Sequence, residues 1–308
     1  MNEPYLPDVP VTPIALHPAV PVARARVIAA AHDLLAVPDA ALERAWPWRD
    51  SEADVRYGFY RAYETLEAAG AAVRRALDEA DTRRAPGARR VAAATAARWE
   101  LHAQVLPLDA TTLGASPGGG EWTVRQTLGH IVSAQRAYGR FTAWWLLQHD
   151  AAPLPDAVPE ALFEAMPDEA VEGEGTPDEI RERLDGLLDA GMAHLGGLDD
   201  DALAVPARWS GIRVDVGFRL GRWSSHIREH TVQVDETLVM LGWAPREVDR
   251  LVGLMVGAYG RLEEQVFGLP AAALERGGED GRTPATLIEA ATTQVAADAA
   301  SVRASAGA

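Results

Sequence analysis

Between residues 216 and 241 apolar side chains recur at Val216, Leu220, Trp223, Ile227, Val234, Leu238 and Leu241, interrupted only by Thr231. Steps of three and four residues put these positions on one face of an α-helix. One residue earlier at each step runs a polar line: Arg219, Arg222, His226, His230, Gln233 and Thr237. A polar line beside a core line can border a cleft inside a helical bundle.

A second long helix is expected from Thr123 to about Gln148, because Thr123 and Gln126 have the spacing of a capping box. Its inward line reads Thr127, His130, Ala134, Ala137 and Phe141, which leaves room beside His130. Further helices are expected over 24–37, stopping at Pro38; from a Ser51 cap to about Ala80; over 91–106; and over 245–266. Thr176 before Pro177, with Glu179 three residues after the cap, starts another that ends at Gly196-Gly197. Thr283-Pro284 opens a last one to about 303. AWPWRD (Ala45–Asp50) reads as a turn, and ARWSGIRVDVG (Ala207–Gly217) as irregular or briefly extended. From Asp150 to Glu179 there are ten acids and no base, a solvated acidic connection with one short turn near Glu160–Ala165. A loose echo links 26–69 with 97–141; an old duplication would explain it, but two unrelated helix pairs are the favoured account.

These elements give an all-α fold: an antiparallel four-helix bundle with additional N- and C-terminal helices. The expected organisation is an extended Pro-rich arm over 1–22, a helical extension over 23–90, the bundle over 91–242 and C-terminal helices over 243–308. The extra C-terminal helices and the Trp residues could support a homodimer.

Composition narrows the chemistry. The 308 residues contain no Cys, and all 29 basic residues are Arg. That removes disulfides, a cysteine nucleophile, thiolate metal ligands and a Schiff-base lysine. A formal net charge of -16 argues against nucleic acid and anionic membrane as partners. The acidic, proline-rich start is unlike a signal peptide, and no run is long enough to span a bilayer, so a cytoplasmic location is expected.

His226 and His230 stand four apart, so their imidazoles can reach one ion. The same spacing also suits two polar residues on a helix face, and His130 alone would suit a satisfied core histidine. Arg222 and Gln233 share the polar line. Arg222 could hold a carboxylate of a substrate or pair with Glu229. Gln233 could orient a bound water.

GEWTVRQTLGHIVSAQRAY, with Trp122 opening the helix and His130 eight residues on, resembles the second helix of the DinB-like superfamily. SHIREHTVQ, with His226 and His230, resembles its fourth. That superfamily includes YfiT-type thiol transferases and mycothiol-dependent maleylpyruvate isomerases, and the resemblance covers roughly residues 91–242. It implies a four-helix bundle in which His130, His226 and His230 hold a divalent ion, zinc foremost, with nickel, manganese or iron as alternatives. It further implies a metal-dependent thiol S-transferase or isomerase that uses a small thiol cosubstrate of the mycothiol or bacillithiol kind. A DinB-like protein that binds metal or ligand without catalysis is the alternative. Related bundles also resemble the iron-binding part of sulfoxide synthases, which would imply an iron-dependent oxygenase-type role; that role needs residues from another domain, and nothing in this sequence resembles one.

Overall fold

The computed structural model describes Val9 and residues 11–308. Along the chain run α1 (Ala19–Leu35), a 3-10 turn (Asp39–Ala41), β1 (Ala45–Trp48), β2 (Ser51–Asp54), α2 (Val55–Glu79), α3 (Pro86–Val105), α4 (Ala110–Gly114) and α5 (Val124–Leu146). They are followed by α6 (Glu160–Glu164), α7 (Glu169–Glu172), α8 (Pro177–Leu195), α9 (Asp200–Leu203), β3 (Pro206–Trp209), β4 (Ile212–Asp215) and α10 (Val216–Met240). Then come α11 (Glu247–Val266), α12 (Ala271–Leu274) and α13 (Pro284–Ala306). Among the described residues the fold is all-α apart from two antiparallel hairpins, β1–β2 and β3–β4. Among the described residues no helix is long and apolar enough to cross a membrane.

The chain divides into two compact units. The first holds the described residues up to Leu16, Arg84–Arg98 and Leu108–Gly242; the second holds His17–Arg83, Trp99–Pro107 and Trp243–Ala308. The segments expected as separate extensions on either side of the bundle thus fall largely together in the second unit. Residues 1–8 and 10 of the expected arm lie outside the described residues. The rest of that arm is engaged: Ile14 donates its amide to the Ala193 carbonyl at 3.0 Å, and α1 already begins at Ala19.

In the first unit α5 packs against both α8 and α10. The capping box at Thr123 is formed, with Gln126 reaching back to the Thr123 amide at 2.9 Å, and Thr176 and Glu179 make the same arrangement. Each such cap satisfies amides that a helix start leaves orphaned and stabilises it by about 1 kcal/mol. The apolar line of α10 is the core: Val216, Leu220, Trp223, Ile227 and Val234 are fully buried. Arg98 reaches Asp185 and Asp189 from α3 at 3.4 and 3.5 Å, a buried charge met by two acids of α8. In the second unit α2 packs against α11 and α13, and α1 against the same two. There Arg24 of α1 pairs with the buried Glu263 of α11 at 2.8 Å, and the Trp99 indole N–H donates to the other carboxylate oxygen at 3.0 Å.

Three expectations change. AWPWRD is half of a hairpin, not a turn, and the cap of α2 is Asp54, whose side chain accepts from the Tyr57 amide at 2.7 Å; Ser51 is taken into strand β2. ARWSGIRVDVG forms the second hairpin and runs into α10 through the Asp215 cap. The acidic connection is not solvated throughout. Its α7 lies on α5, where a Cβ at Gly129 would stand 2.4 Å from the Glu169 carbonyl, and Glu172 is buried against Arg136 at 2.6 Å.

Candidate metal site and adjoining cleft

Two helices of the first unit bring the three histidines together. α5 carries His130 two turns below its capping box, and α10 carries His226 and His230 one turn apart. One ring nitrogen from each lies within 4.8 Å of the others. His226 Nε2 and His230 Nε2 are 3.1 Å apart, and the His130 ring centroid is 4.7 Å from that of His230 and 5.2 Å from that of His226. Two imidazole nitrogens on one tetrahedral zinc stand about 3.3 Å apart, so this pair has the right spacing to share an ion.

The outer faces of two rings are held. His130 Nδ1 meets Glu169 Oε1 at 2.9 Å, and His230 Nδ1 meets Gln233 Oε1 at 2.7 Å. A partner on Nδ1 fixes the tautomer and aims Nε2 inward, as around metal-bound histidines generally. His226 Nδ1 is buried with no hydrogen-bond partner. Burial first, then the neighbouring His230, pushes the His226 pKa down to about 3, and burial lowers His230 as well. Neutral rings with inward lone pairs are the form a cation requires, so the donor set fits a divalent ion.

Beside the histidines is a cleft of about 350 Å³, lined by Tyr138, Phe141, Trp145, Phe163, Trp209 and Arg219 among others. Tyr138 joins cleft to histidines: its ring meets His226 edge-on at 5.2 Å and Trp209 at 4.9 Å. Burial raises the Tyr138 hydroxyl to about 12, so it stays a protonated donor at neutral pH. Two guanidinium groups lie over the Trp209 indole, Arg219 at 5.2 Å and Arg222 at 5.7 Å. Burial brings Arg219 down to about 10, and it donates to the Arg208 carbonyl at 2.6 Å.

Of the residues singled out in the sequence, His130, His226 and His230 share one point. Arg222 makes a bidentate pair with Glu229 at 2.7 and 2.9 Å, which lowers the Glu229 pKa. Gln233 is engaged with the His230 ring, not with the space in front of it. The other five histidines lie outside this group: His17 on Glu275, His149 on Asp150, buried His102 edge-on to Trp99, His32 in α1 and His194 in α8. Glu169, Tyr138 and Trp209 were not singled out. Glu169 stands 39 positions from His130 in a segment without helical period, whereas Tyr138, two turns after His130 on α5, was within reach of a helical-face reading.

A search of curated proteins finds no match. Among solved structures, YfiT from Bacillus subtilis, described as a probable metal-dependent hydrolase with an unusual four-helix bundle topology, is 15% identical over 66% of this chain and 99% of that one, with a TM-score of 0.34. The model of the DinB superfamily matches residues 66–234, which is 169 of 308 positions (234 − 66 + 1). With more than half of its length matched, the chain belongs to the DinB superfamily.

Proposed function

We propose that His130, His226 and His230 hold a divalent ion, zinc foremost, and that the site activates a small-molecule thiol for transfer to an electrophile or for isomerisation. The observation that carries this reading is the convergence of three imidazoles, two of them fixed from behind by Glu169 and Gln233. Three protein ligands leave room for a further one, the pattern of reactive rather than closed structural sites. A bound divalent cation there would supply stabilisation of a thiolate at neutral pH. With no Cys in the chain, the thiol comes from a cosubstrate of the mycothiol or bacillithiol kind.

The chain's own residues bind and orient. Phe141, Trp145 and Phe163 wall the cleft and exclude water from an apolar electrophile. The Tyr138 hydroxyl offers a proton donor between His226 and Trp209. Arg222, propped by Glu229 and lying over Trp209, presents a guanidinium suited to a carboxylate of the thiol or its acceptor. Gln233 acts through His230, by holding its ring.

The test is elemental analysis of protein purified without a His-tag column, wild type beside His226→Ala/His230→Ala, followed by a screen of thiols against electrophiles. About one equivalent of metal in wild type and none in the variant is expected, with thiol consumption only in wild type. No metal in either, after addition of zinc, nickel, manganese or iron, overturns the site. Metal without consumption of any thiol would leave a metal- or ligand-binding protein.

A further inference from the structure

The two units share one construction. In the second unit a 3-10 turn at Asp39, a hairpin over 45–54 and a 25-residue helix from Val55 follow one another; in the first, α9 at Asp200, a hairpin over 206–215 and a 25-residue helix from Val216 do so. Each is displaced by 161 positions (200 − 39, 206 − 45, 216 − 55). Under that shift the hairpin registers coincide, Ala45 opposite Asp54 and Pro206 opposite Asp215. The turn residues Arg49 and Ser210 coincide too, with φ of 54° and 47°, a left-handed conformation uncommon outside glycine. Asp54 and Asp215 both cap the following helix, at 2.7 and 2.6 Å. The 20-residue helices α3 and α11 are again 161 apart (247 − 86), and the 23-residue helices α5 and α13 are 160 apart (284 − 124), each opened by a Thr capping box. The fully buried Val55, Leu66 and Val73 match the fully buried Val216, Ile227 and Val234. Two unrelated helix pairs have no reason to share register, turn conformation, cap and helix length at one offset. The chain is a repeat, and each unit draws one half from each copy.

The repeat shows what the second unit lacks. The positions of His226, His230 and His130 are held there by Thr65 (226 − 161), Ala69 (230 − 161) and Ala290 (130 + 160). A wall of the cleft survives. Trp48 stands where Trp209 does, and Arg61 where Arg222 does (222 − 161), with the Arg61 guanidinium 5.0 Å from the Trp48 ring. A second guanidinium completes each wall from non-equivalent positions: Arg49 lies 4.5 Å from Trp48, whereas the counterpart of Arg219 is Gly58 (219 − 161). Two arginines thus lie on one indole in both units, one at the matched position and one not, and only the first unit has histidines at the other three positions. Stacking leaves the edge of a guanidinium open to an anion; Arg61 gives one of its N–H groups to Glu64 and has the others for a ligand. Across a cleft of about 490 Å³ stand Asp298, which accepts from Gln294 at 2.8 Å, and Ser301, which accepts from the Trp46 indole at 3.0 Å.

We propose that the cleft of the second unit is a metal-free binding site for a small organic acid. Arg49 and Arg61 take its carboxylate, and Asp298 takes a hydroxyl or amino group at its other end. Burial raises the Asp298 carboxyl, although Gln294 and the charge of Arg61 draw it the other way; the bond from Gln294 reaches one of its two oxygens.

One measurement tests this site and a second tests the equivalence of the units from which it is argued, and both are independent of the thiol reading. L-Malate and L-glutamate are titrated by calorimetry into full-length His226→Ala/His230→Ala protein, with and without Arg49→Ala/Arg61→Ala. Binding of at least one probe, weakened tenfold or more by the arginine changes, is expected. Absence of binding by both, or binding indifferent to Arg49 and Arg61, overturns the site. Thr65→His/Ala69→His/Ala290→His should take up one equivalent of zinc more than wild type. No extra equivalent in a variant that keeps its helicity and cooperative melting overturns the equivalence of the two units.

Discussion

α10 and α2 are the same helix put to two uses. Both are 25 residues long, leave a hairpin through an aspartate cap and bury a valine and leucine line of the same period. The line beside the core line is where they part: Arg222, His226 and His230 on α10 stand against Arg61, Thr65 and Ala69 on α2. Burial of the core line accounts for the helix in both units, so the chemistry at the neighbouring positions can differ while the fold stays the same. The units also secure their helices alike, with a buried arginine met by buried acid: Arg98 and Asp185 in the first, Arg24 and Glu263 in the second. An exposed pair contributes little, but removing one partner of a buried pair strands a charge.

The comparison can be broken by experiment. The largest effect is expected from His130→Ala, which should bring metal content from one equivalent to none while the far-ultraviolet circular dichroism stays that of wild type; unchanged metal would leave His130 without its role. Glu263→Ala should destabilise the protein by about 3–5 kcal/mol, because Arg24 is left buried and uncompensated. Urea unfolding measures that cost, and metal content below the melting transition should not change. Gly129→Ala comes next. Its Cβ meets the Glu169 carbonyl at 2.4 Å, so α7 must withdraw and His130 loses its Nδ1 partner. Ion affinity should fall about 10–100-fold, as measured by competition with a chelator. Smallest are Asp54→Ala and Asp215→Ala, each costing about 1 kcal/mol. Similar drops in melting temperature would sharpen the equivalence of the two helix starts, and a drop confined to one would blunt it.

Much of the first unit could be read from the chain because its signals are local. Thr123 with Gln126, and Thr176 with Pro177 and Glu179, announce helix starts within four residues, and the core line of α10 repeats without help from elsewhere. The three histidines were legible as a set through their order and spacing in a known family, and the structure brings them to one point. The hairpins were not legible. Their strands are four residues long, β1 carries Pro47, and their turns place Arg49 and Ser210 in a conformation that sequence associates with glycine. Glu169 was hidden in an acidic stretch whose docking depends on the absence of a side chain at Gly129. The repeat was missed because its copies share only scattered identities, such as Asp54 with Asp215 and Trp48 with Trp209. Comparing 26–69 with 97–141 sets one half of a copy against the other half of the same copy.

The second unit is closed by helices from far apart in the chain: α2 ends at Glu79 and α11 begins at Glu247, 168 positions later (247 − 79). At cellular synthesis rates that interval lasts on the order of 10–30 s. Throughout it Val55, Phe59 and Leu66 have nothing from α11 or α13 to lie against, while the main segments of the first unit, Arg84–Arg98 and Leu108–Gly242, are made in that same interval. The unit without the histidine cluster is therefore the later of the two to close, because its long helix waits for partners made after the first unit.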